Sequence, residues 1–204
     1  MSKNPIIVFE GIEGSGKSLH INNVANYLKK INRKFINFLT LLKAKISEKI
    51  RKLILDNKSS FNVNTDLLLY MSARSENINL IKKNYKKKII LIDRFVDSTI
   101  AYQHYGFGVD IKIINLINKF LLQNIQVTFT FLNIVSLKNM NNRLKKRKKL
   151  NRYDKFNTVF YNKVQKGFLK ILKKKKNKYL KVNSNLEINL NKKLIINKIK
   201  KLIK

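Results

Sequence analysis

Short apolar runs alternate along the chain with longer segments in which apolar residues recur every three or four positions. A short continuous apolar run is typical of a strand buried on both faces, and the three-to-four spacing is typical of an amphipathic helix. The pattern predicts five strands, at residues 6–9, 35–39, 89–92, 127–132 and 178–182. It also predicts eight helices, at residues 18–31, 47–56, 64–85, 98–105, 110–122, 136–149, 151–172 and 192–203.

This alternation predicts the class of fold. Strands that are separated by helices pair in parallel, and the helices then cover both faces of the sheet. We therefore expect one α/β domain over residues 1–204, with three layers: a parallel sheet of about five strands and helices on both of its faces.

A glycine-rich segment follows the first predicted strand directly. Residues 11–18 read Gly-Ile-Glu-Gly-Ser-Gly-Lys-Ser and complete the pattern G-x-x-x-x-G-K-[ST] of a phosphate-binding loop, or P-loop, between a strand and a helix. Glycines let successive N–H groups point at phosphate oxygens, and the helix N-terminus adds positive potential. Lys17 is expected to reach the β- and γ-phosphates, and the Ser18 hydroxyl to hold Mg²⁺.

The pattern thus predicts a P-loop NTPase-type fold that binds ATP, rather than a glycine-rich turn without a ligand. The residues expected to bind ATP are Gly11, Ile12, Glu13, Gly14, Ser15, Gly16, Lys17 and Ser18.

An acidic and a basic residue follow the third predicted strand. Asp93 ends the run Ile-Ile-Leu-Ile-Asp, and Arg94 comes next. In P-loop enzymes an aspartate after a buried strand commonly helps to hold Mg²⁺. An arginine there places a fixed cation in the crevice where α/β sheets bind ligands. The alternative is that Asp93 caps a helix and Arg94 is its surface partner.

The composition narrows the class of protein only slightly. The net charge of +34 would attract nucleic acids. However, only seven of the 45 basic residues are arginine, and the lysines are spread along the chain among residues that share A/T-rich codons. We therefore expect only non-specific binding of nucleic acid, although a nucleic-acid-binding ATPase stays an alternative. The chain has no cysteine, no apolar run of 18 residues and no room for a signal peptide before the first strand, so we expect a cytoplasmic protein without a membrane segment.

Over nearly its full length the chain resembles the thymidylate kinases, P-loop nucleoside monophosphate kinases that transfer the γ-phosphoryl group of ATP to dTMP in dTTP synthesis. The P-loop at residues 9–18 resembles that of the family, including the acidic Glu13, and Asp93-Arg94-Phe95 resembles its Asp-Arg-Tyr/Phe motif. Further matches are Leu-Leu-Leu-Tyr-Met-Ser-Ala-Arg at residues 67–74, Ser-Thr-Ile-Ala-Tyr-Gln at 98–103 and the lid-like Asn-Arg-Tyr-Asp at 151–154.

The resemblance implies roles for the acceptor side of the site. Arg74 would donate to a base carbonyl, and Tyr70 would stack on the base. Tyr102 would lie beside the sugar and disfavour a 2′-hydroxyl, while Thr99 and Gln103 would line base and sugar. Ordinary core packing is the alternative for both tyrosines, and a solvated surface charge is the alternative for Arg74.

The resemblance also implies roles for the charged groups. Arg94 would hold the acceptor phosphate, and Glu13 would contact the acceptor sugar or join Ser18 and Asp93 around Mg²⁺. Since the P-loop has no arginine, a basic helical lid at about residues 143–158 would supply one. The candidates are Arg143, Arg147 and Arg152, of which Arg152 is the best match to the motif and Arg143 fits the helix before it. A homodimer is implied as well.

Three segments depart from the family. Residues 40–45 stand where the family has an Arg-Glu-Pro-Gly turn, and Lys43 or Lys45 could replace the charge of its arginine. Residues 103–108 lack a glycine and an arginine that the family has there. Asn151 occupies the position of the acidic residue in the family's lid. Lysine does not reproduce the bidentate geometry of arginine. A relative that binds nucleotide with little turnover is therefore a further alternative.

Overall fold

The computed structural model describes residues 4–37 and 45–204, without the side chain of Lys45. Within these ranges five strands form one sheet in the order β2-β3-β1-β4-β5, and every neighbouring pair is parallel. The strands are β1 (Ile6–Glu10), β2 (Phe35–Asn37), β3 (Ile89–Asp93), β4 (Phe129–Ile134) and β5 (Tyr179–Asn183). The predicted parallel α/β fold is confirmed; residues 38 and 39 of the second predicted strand, and the turn at residues 40–44, lie outside the described residues.

Outside the lid region, helices lie between and after the strands as the periodicity predicts, except that the last helix begins at Ile188 and not at residue 192. They are α1 (Lys17–Lys30), α2 (Lys45–Leu55), α3 (Val63–Asn84), α4 (Val96–Thr99), α5 (Ile111–Leu122), α6 (Leu137–Lys145), α7 (Thr158–Lys174) and α8 (Ile188–Leu202). A π-helix (Ile100–Gly106) continues α4, and 3₁₀ turns lie at Tyr153–Lys155 and Lys176–Lys178. No helix in the described part of the chain has the length and apolarity needed to cross a membrane.

The sheet separates two apolar layers because successive strand side chains point to opposite faces. Ile7 and Phe9 of β1 belong to the cluster that includes residues of α1 and α8. Ile6 and Val8 belong to the opposite cluster, which includes Ile78 of α3. With both faces covered, the strands are apolar throughout rather than alternating, as parallel strands usually are.

The sequence predicts two long helices in the lid region, and the structure differs from the prediction in both. Helix α6 ends at Lys145 instead of residue 149, since Lys145 begins a run of five cations and like charges one turn apart destabilise a helix. The predicted helix at residues 151–172 is interrupted: the Asp154 carboxylate accepts from Asn151 N (3.0 Å), and α7 begins only after Asn157, whose side chain accepts from Phe160 N (2.9 Å). Such side-chain bonds to the backbone compete with the helix.

The π-helix packs closely against α7. A Cβ on Gly167 would lie 2.5 Å from the Tyr105 ring, and one on Gly106 would lie 2.7 Å from the Phe160 ring. The two glycines therefore allow an approach that holds the π-helix, and the side chains on it, in a fixed position relative to the lid segment.

Candidate nucleotide and acceptor site

The P-loop lies at the carboxyl end of the central strand β1, where open α/β sheets bind their ligands. Gly11 has φ +139°, and a Cβ there would lie 2.3 Å from the backbone oxygen of Asn133. Gly14 and Gly16 also have positive φ, and Gly16 is the N-cap of α1. The loop thus has the glycine-dependent backbone that brings N–H groups and a helix N-terminus to one point.

Lys17 folds over the loop that it follows. Its Nζ donates to Gly11 O (3.1 Å), Ile12 O (3.0 Å) and Ser15 Oγ (3.3 Å). Burial, and then the nearby Arg94, lower the pKa of Lys17 to about 8. The ammonium group is therefore charged at neutral pH, yet its charge is poorly compensated, which favours the approach of an anion.

Two oxygen ligands suited to Mg²⁺ meet beside the loop. The Ser18 hydroxyl donates to Asp93 Oδ2 (3.3 Å), and the buried Asp93 Oδ1 has no hydrogen-bond partner among the described residues. Hydroxyl and carboxylate oxygens fit a small hard cation, which usually completes its shell with phosphates and water. Among the described residues, no group of three or more His, Cys, Asp or Glu side chains is placed so that it could hold a metal ion. The oxygens of Ser18 and Asp93 suit a Mg²⁺ ion that takes its other ligands from phosphate and water.

Arg94 and Glu13 form the centre of the site. Arg94 Nη2 lies 2.7 Å from Glu13 Oε1, and Arg94 Nη1 donates to Gly11 O (2.6 Å). The guanidinium lies 5.0 Å from the centre of the Tyr102 ring, and the Tyr102 hydroxyl donates to Glu13 Oε2. Each oxygen of Glu13 thus has one hydrogen-bond partner and keeps a lone pair for a metal or a sugar hydroxyl.

Electrostatics keep this pair ionised. Burial, the largest single influence, would lower the pKa of Arg94, but Glu13 together with Tyr102, Asp93 and Glu10 raises it well above the usual value. Burial alone would raise the pKa of Glu13, but Arg94 and Lys17 together lower it below the usual value. Burial raises the pKa of Tyr102 well above 10, so this side chain is a neutral donor.

The residues expected to bind the base come from two elements that face each other. Tyr70 and Arg74 lie one turn apart on α3, and Thr99, Tyr102 and Gln103 lie on α4 and the π-helix. Arg74 Nη2 donates to Thr99 Oγ1 (2.5 Å) and to Phe95 O (2.8 Å), and its Nη1 donates to Asn118 Oδ1 (2.9 Å). Burial lowers the pKa of Arg74 to about 10, so the guanidinium remains charged at neutral pH.

The three lid arginines lie in different places. Arg143 donates to the P-loop carbonyl of Gly14 (2.8 Å) and to Ser184 O (2.6 Å). Arg147 pairs with Asp154 (2.5 Å) inside the lid. Arg152 pairs with Asp66 of α3, on the acceptor side. In this structure only Arg143 of the three contacts the P-loop, while the role of Arg152 in catalysis stays a prediction.

Sequence reasoning missed Asp66 and Glu10. Asp66 is 3% exposed and accepts from Gln103 Nε2 (3.0 Å), from Arg152 and from the Tyr153 hydroxyl. In the sequence it resembles an N-cap residue, whereas the residue that caps α3 is Asn62, which accepts from Thr65 N (2.8 Å). Glu10 is fully buried at the end of β1 and accepts from the first turn of α4. The sequence signal for Glu10 is a charged residue at the end of an otherwise apolar strand.

Comparisons with known proteins agree with this arrangement. The family model described as thymidylate kinase matches residues 9–195. The thymidylate kinase of Thermosipho africanus is 35% identical over 173 residues, which cover 84% of this chain and 86% of that protein. That of the Wolbachia symbiont of Brugia malayi is 37% identical over 171 residues, covering 81% and 80%. The crystal structure of thymidylate kinase from Ehrlichia chaffeensis superposes with a TM-score of 0.73 at 28% identity, covering 98% of this chain and 99% of that one.

Proposed function

Because this chain belongs to the thymidylate kinase family, we propose that it transfers the γ-phosphoryl group of ATP to dTMP, with dTDP and ADP as products. The observation that carries this proposal is the meeting of two cations at one carbonyl. Lys17 Nζ and Arg94 Nη1 lie 3.1 Å and 2.6 Å from the oxygen of Gly11. Lys17 belongs to the donor loop and Arg94 to the end of β3, so the two cations can hold two different phosphates next to each other.

The reaction follows from this placement. An oxygen of the dTMP phosphate attacks the γ-phosphorus of ATP, and the bond to the β-phosphate bridging oxygen breaks, so that ADP leaves. Catalysis of this kind depends on positioning and on neutralising the charge of the transferred group. Lys17 neutralises the donor side and Arg94 holds the attacking phosphate. Ser18 and Asp93 would hold Mg²⁺, which when bound neutralises charge on the β- and γ-phosphates.

Selection of dTMP is proposed to depend on side chains of α3, α4 and the π-helix. Arg74 is held by Thr99 and Asn118, and its guanidinium is the proposed charged donor to a base carbonyl. Tyr70 lies one turn earlier on α3 and can cover the face of the base. Tyr102 is buried beside Arg94, where its ring leaves little room for a 2′-hydroxyl.

The lid is proposed to complete the donor side. Arg143 already contacts the Gly14 carbonyl of the loop and needs little movement to reach the phosphates. Closing the segment around residues 143–158 would exclude water and limit hydrolysis of ATP. Arg152 would add a second cation to the donor side only after its salt bridge with Asp66 is broken.

We further propose that the protein acts as a homodimer in the cytoplasm. Along α5, Ile113, Leu116 and Phe120 are 50%, 69% and 75% exposed and lie on one side of the helix at spacings of three and four. Leu68 is also exposed, on α3, which packs against α5. An apolar stripe of this kind is typical of a surface covered by another protein, and a second copy is the proposed occupant.

The function is tested by following the label of ATP carrying ³²P in its γ-phosphate, with Mg²⁺ and dTMP present. The proposal predicts that label appears in dTDP and that Lys17→Ala abolishes the transfer. Label released as inorganic phosphate, at a rate that DNA or RNA increases at moderate salt, would favour a nucleic-acid-binding ATPase instead.

A further inference from the structure

We infer that Glu10 is a positioning residue for Arg94: its carboxyl group holds the first turn of α4 so that the arginine presents its guanidinium to the acceptor phosphate. The inference rests on the proposed function, in which Arg94 holds the phosphate of dTMP.

The contacts of Glu10 all lead to the segment that follows Arg94. Glu10 Oε1 accepts from the backbone N–H groups of Phe95 (2.9 Å) and Ser98 (3.2 Å), and the Ser98 hydroxyl donates to Oε2. The first N–H groups of a helix have no partners within the helix, and the N-cap residue of α4, Phe95, has no side chain that could accept from them. Glu10 therefore acts as the cap of α4 from a neighbouring strand.

Arg94 needs such support because its backbone is left-handed. Its φ is +64°, a conformation that L-residues other than glycine adopt rarely and that persists only where neighbouring bonds impose it. On one side Arg94 N donates to Phe9 O (3.0 Å), and on the other side Phe95 N donates to Glu10 (2.9 Å). Removing the carboxyl group would release the second of these two bonds.

The side chain of Arg94 also contacts the segment of chain that begins with Glu10. Its Nη1 donates to the carbonyl of Gly11, the residue after Glu10 (2.6 Å), and lies 3.4 Å from Ser98 Oγ. Consecutive residues of β1 and the P-loop thus hold both the backbone and the guanidinium of Arg94. A shift of α4 would move Arg94 away from the P-loop. In-line phosphoryl transfer is sensitive to such a change in the distance between the two phosphates.

The environment of Glu10 is charged on several sides. Burial first, and then Asp97 of α4, raise the pKa of Glu10 to about 7. The charged or titratable groups that face it from the surrounding elements are Asp97, Arg94, Lys17, Arg74 and Tyr179. A glutamine has the same shape and keeps an oxygen for both N–H groups, so it should preserve the cap without the charge.

The inference is tested with Glu10→Ala, Glu10→Gln and the matched control Thr130→Val, a buried position on β4 that lines the same cavity of about 590 Å³ as Glu10. Glu10→Ala is expected to lower kcat/KM for dTMP by about tenfold or more, while the Kd of Mg·ATP measured without dTMP changes by less than about threefold. Glu10→Gln should restore most of kcat/KM, and Thr130→Val should stay close to wild type.

A double-mutant cycle shows whether the effect passes through Arg94. In an Arg94→Ala background, Glu10→Ala should cause no further loss of dTMP affinity measured by calorimetry. The inference is overturned if Glu10→Ala leaves kcat/KM for dTMP within about threefold of wild type. It is also overturned if Glu10→Ala causes equal losses for dTMP and for Mg·ATP. The same holds if its loss of dTMP affinity adds fully to the loss caused by Arg94→Ala.

Failure of the proposed function gives a different result. A wild-type protein that binds dTMP without converting it contradicts the kinase proposal, and dTMP affinity in the same variants then still decides the role of Glu10. A wild-type protein that does not bind dTMP overturns both proposals.

Discussion

The guanidinium of Arg94 lies 2.7 Å from the carboxylate of Glu13, with side-chain exposures of 26% and 12%. The acidic residue of the P-loop thus compensates the arginine that follows β3, and the Tyr102 hydroxyl holds the second carboxylate oxygen. An arriving phosphate would compete with Glu13 for Arg94. This relationship couples the donor loop to the proposed acceptor site.

Arg94→Lys should lower kcat/KM for dTMP by about a hundredfold, because lysine cannot contact Gly11 O and Glu13 together in a planar fork. The Kd of Mg·ATP should change little. Steady-state kinetics with each substrate varied measures both effects. Arg33→Lys, at an exposed arginine that donates to Ile203 O, is the matched control and should be silent. A variant with normal dTMP kinetics would remove Arg94 from the acceptor site.

Asp66→Asn should weaken dTMP binding by about tenfold, since it removes the charge that pairs with Arg152 and an acceptor for Gln103 and Tyr153. The P-loop is not touched, so ATP affinity should be retained. Calorimetry with dTMP and with Mg·ATP separately distinguishes the two. Equal losses for both ligands would indicate a general destabilisation instead of a defect on the acceptor side.

Glu10→Gln should change how stability depends on pH. Burial, and then Asp97, raise the pKa of Glu10 from 4.5 to about 7 in the folded protein. Between these values the folded state binds more protons than the unfolded chain at this group, so its contribution to the free energy of unfolding falls as the pH rises. The fall amounts to about 3 kcal/mol.

The measurement is urea unfolding of both proteins between about pH 4.5 and 8. The difference in the free energy of unfolding, Glu10→Gln minus wild type, should increase with pH up to about 7 and then level off. A difference that does not vary with pH would mean that Glu10 has an ordinary pKa.

Gly11→Ala should abolish ATP binding and destabilise the fold by more than about 3 kcal/mol, because the new Cβ would overlap the Asn133 carbonyl at 2.3 Å. Gly108→Ala is the control: it also has positive φ, at +84°, but has nothing within 4 Å of the added Cβ. It should cost only about 1 kcal/mol and keep ATP binding. Thermal unfolding with and without Mg·ATP compares them.

Phe120→Asp should convert a dimer into a monomer, because it replaces the most exposed apolar side chain of the stripe on α5 with a charge. Sedimentation velocity measures the change in mass. Lys119→Asp introduces the same negative charge on α5 beside the stripe and not within it, and therefore serves as the control. A wild-type protein that is monomeric at all concentrations tested would contradict the proposed dimer.

Much of the fold follows from local features of the chain. All five strands lie within two residues of their predicted ends in the described ranges, because apolar runs such as residues 89–92 are short and bounded by polar residues. The P-loop backbone could be predicted as well, since Gly11, Gly14 and Gly16 are needed for its positive φ angles.

The remaining features depend on contacts between distant residues. Glu10 meets Phe95 and Ser98 across 85 and 88 positions, and Asp66 meets Arg152 across 86. No local pattern reports such pairs. The sequence predicts a second lid helix over residues 151–172 without interruption, because periodicity does not register the side-chain bonds of Asp154 and Asn157 that interrupt it.

The most direct test of the kinase account is the initial rate of ADP release by the purified protein with Mg·ATP, at moderate salt, with each nucleoside monophosphate in turn. We expect a rate with dTMP that is well above the rates with dUMP, dCMP, dGMP and AMP and that is lost in Arg94→Ala. A protein that binds ATP but shows the same low rate with every acceptor, or without one, would contradict it.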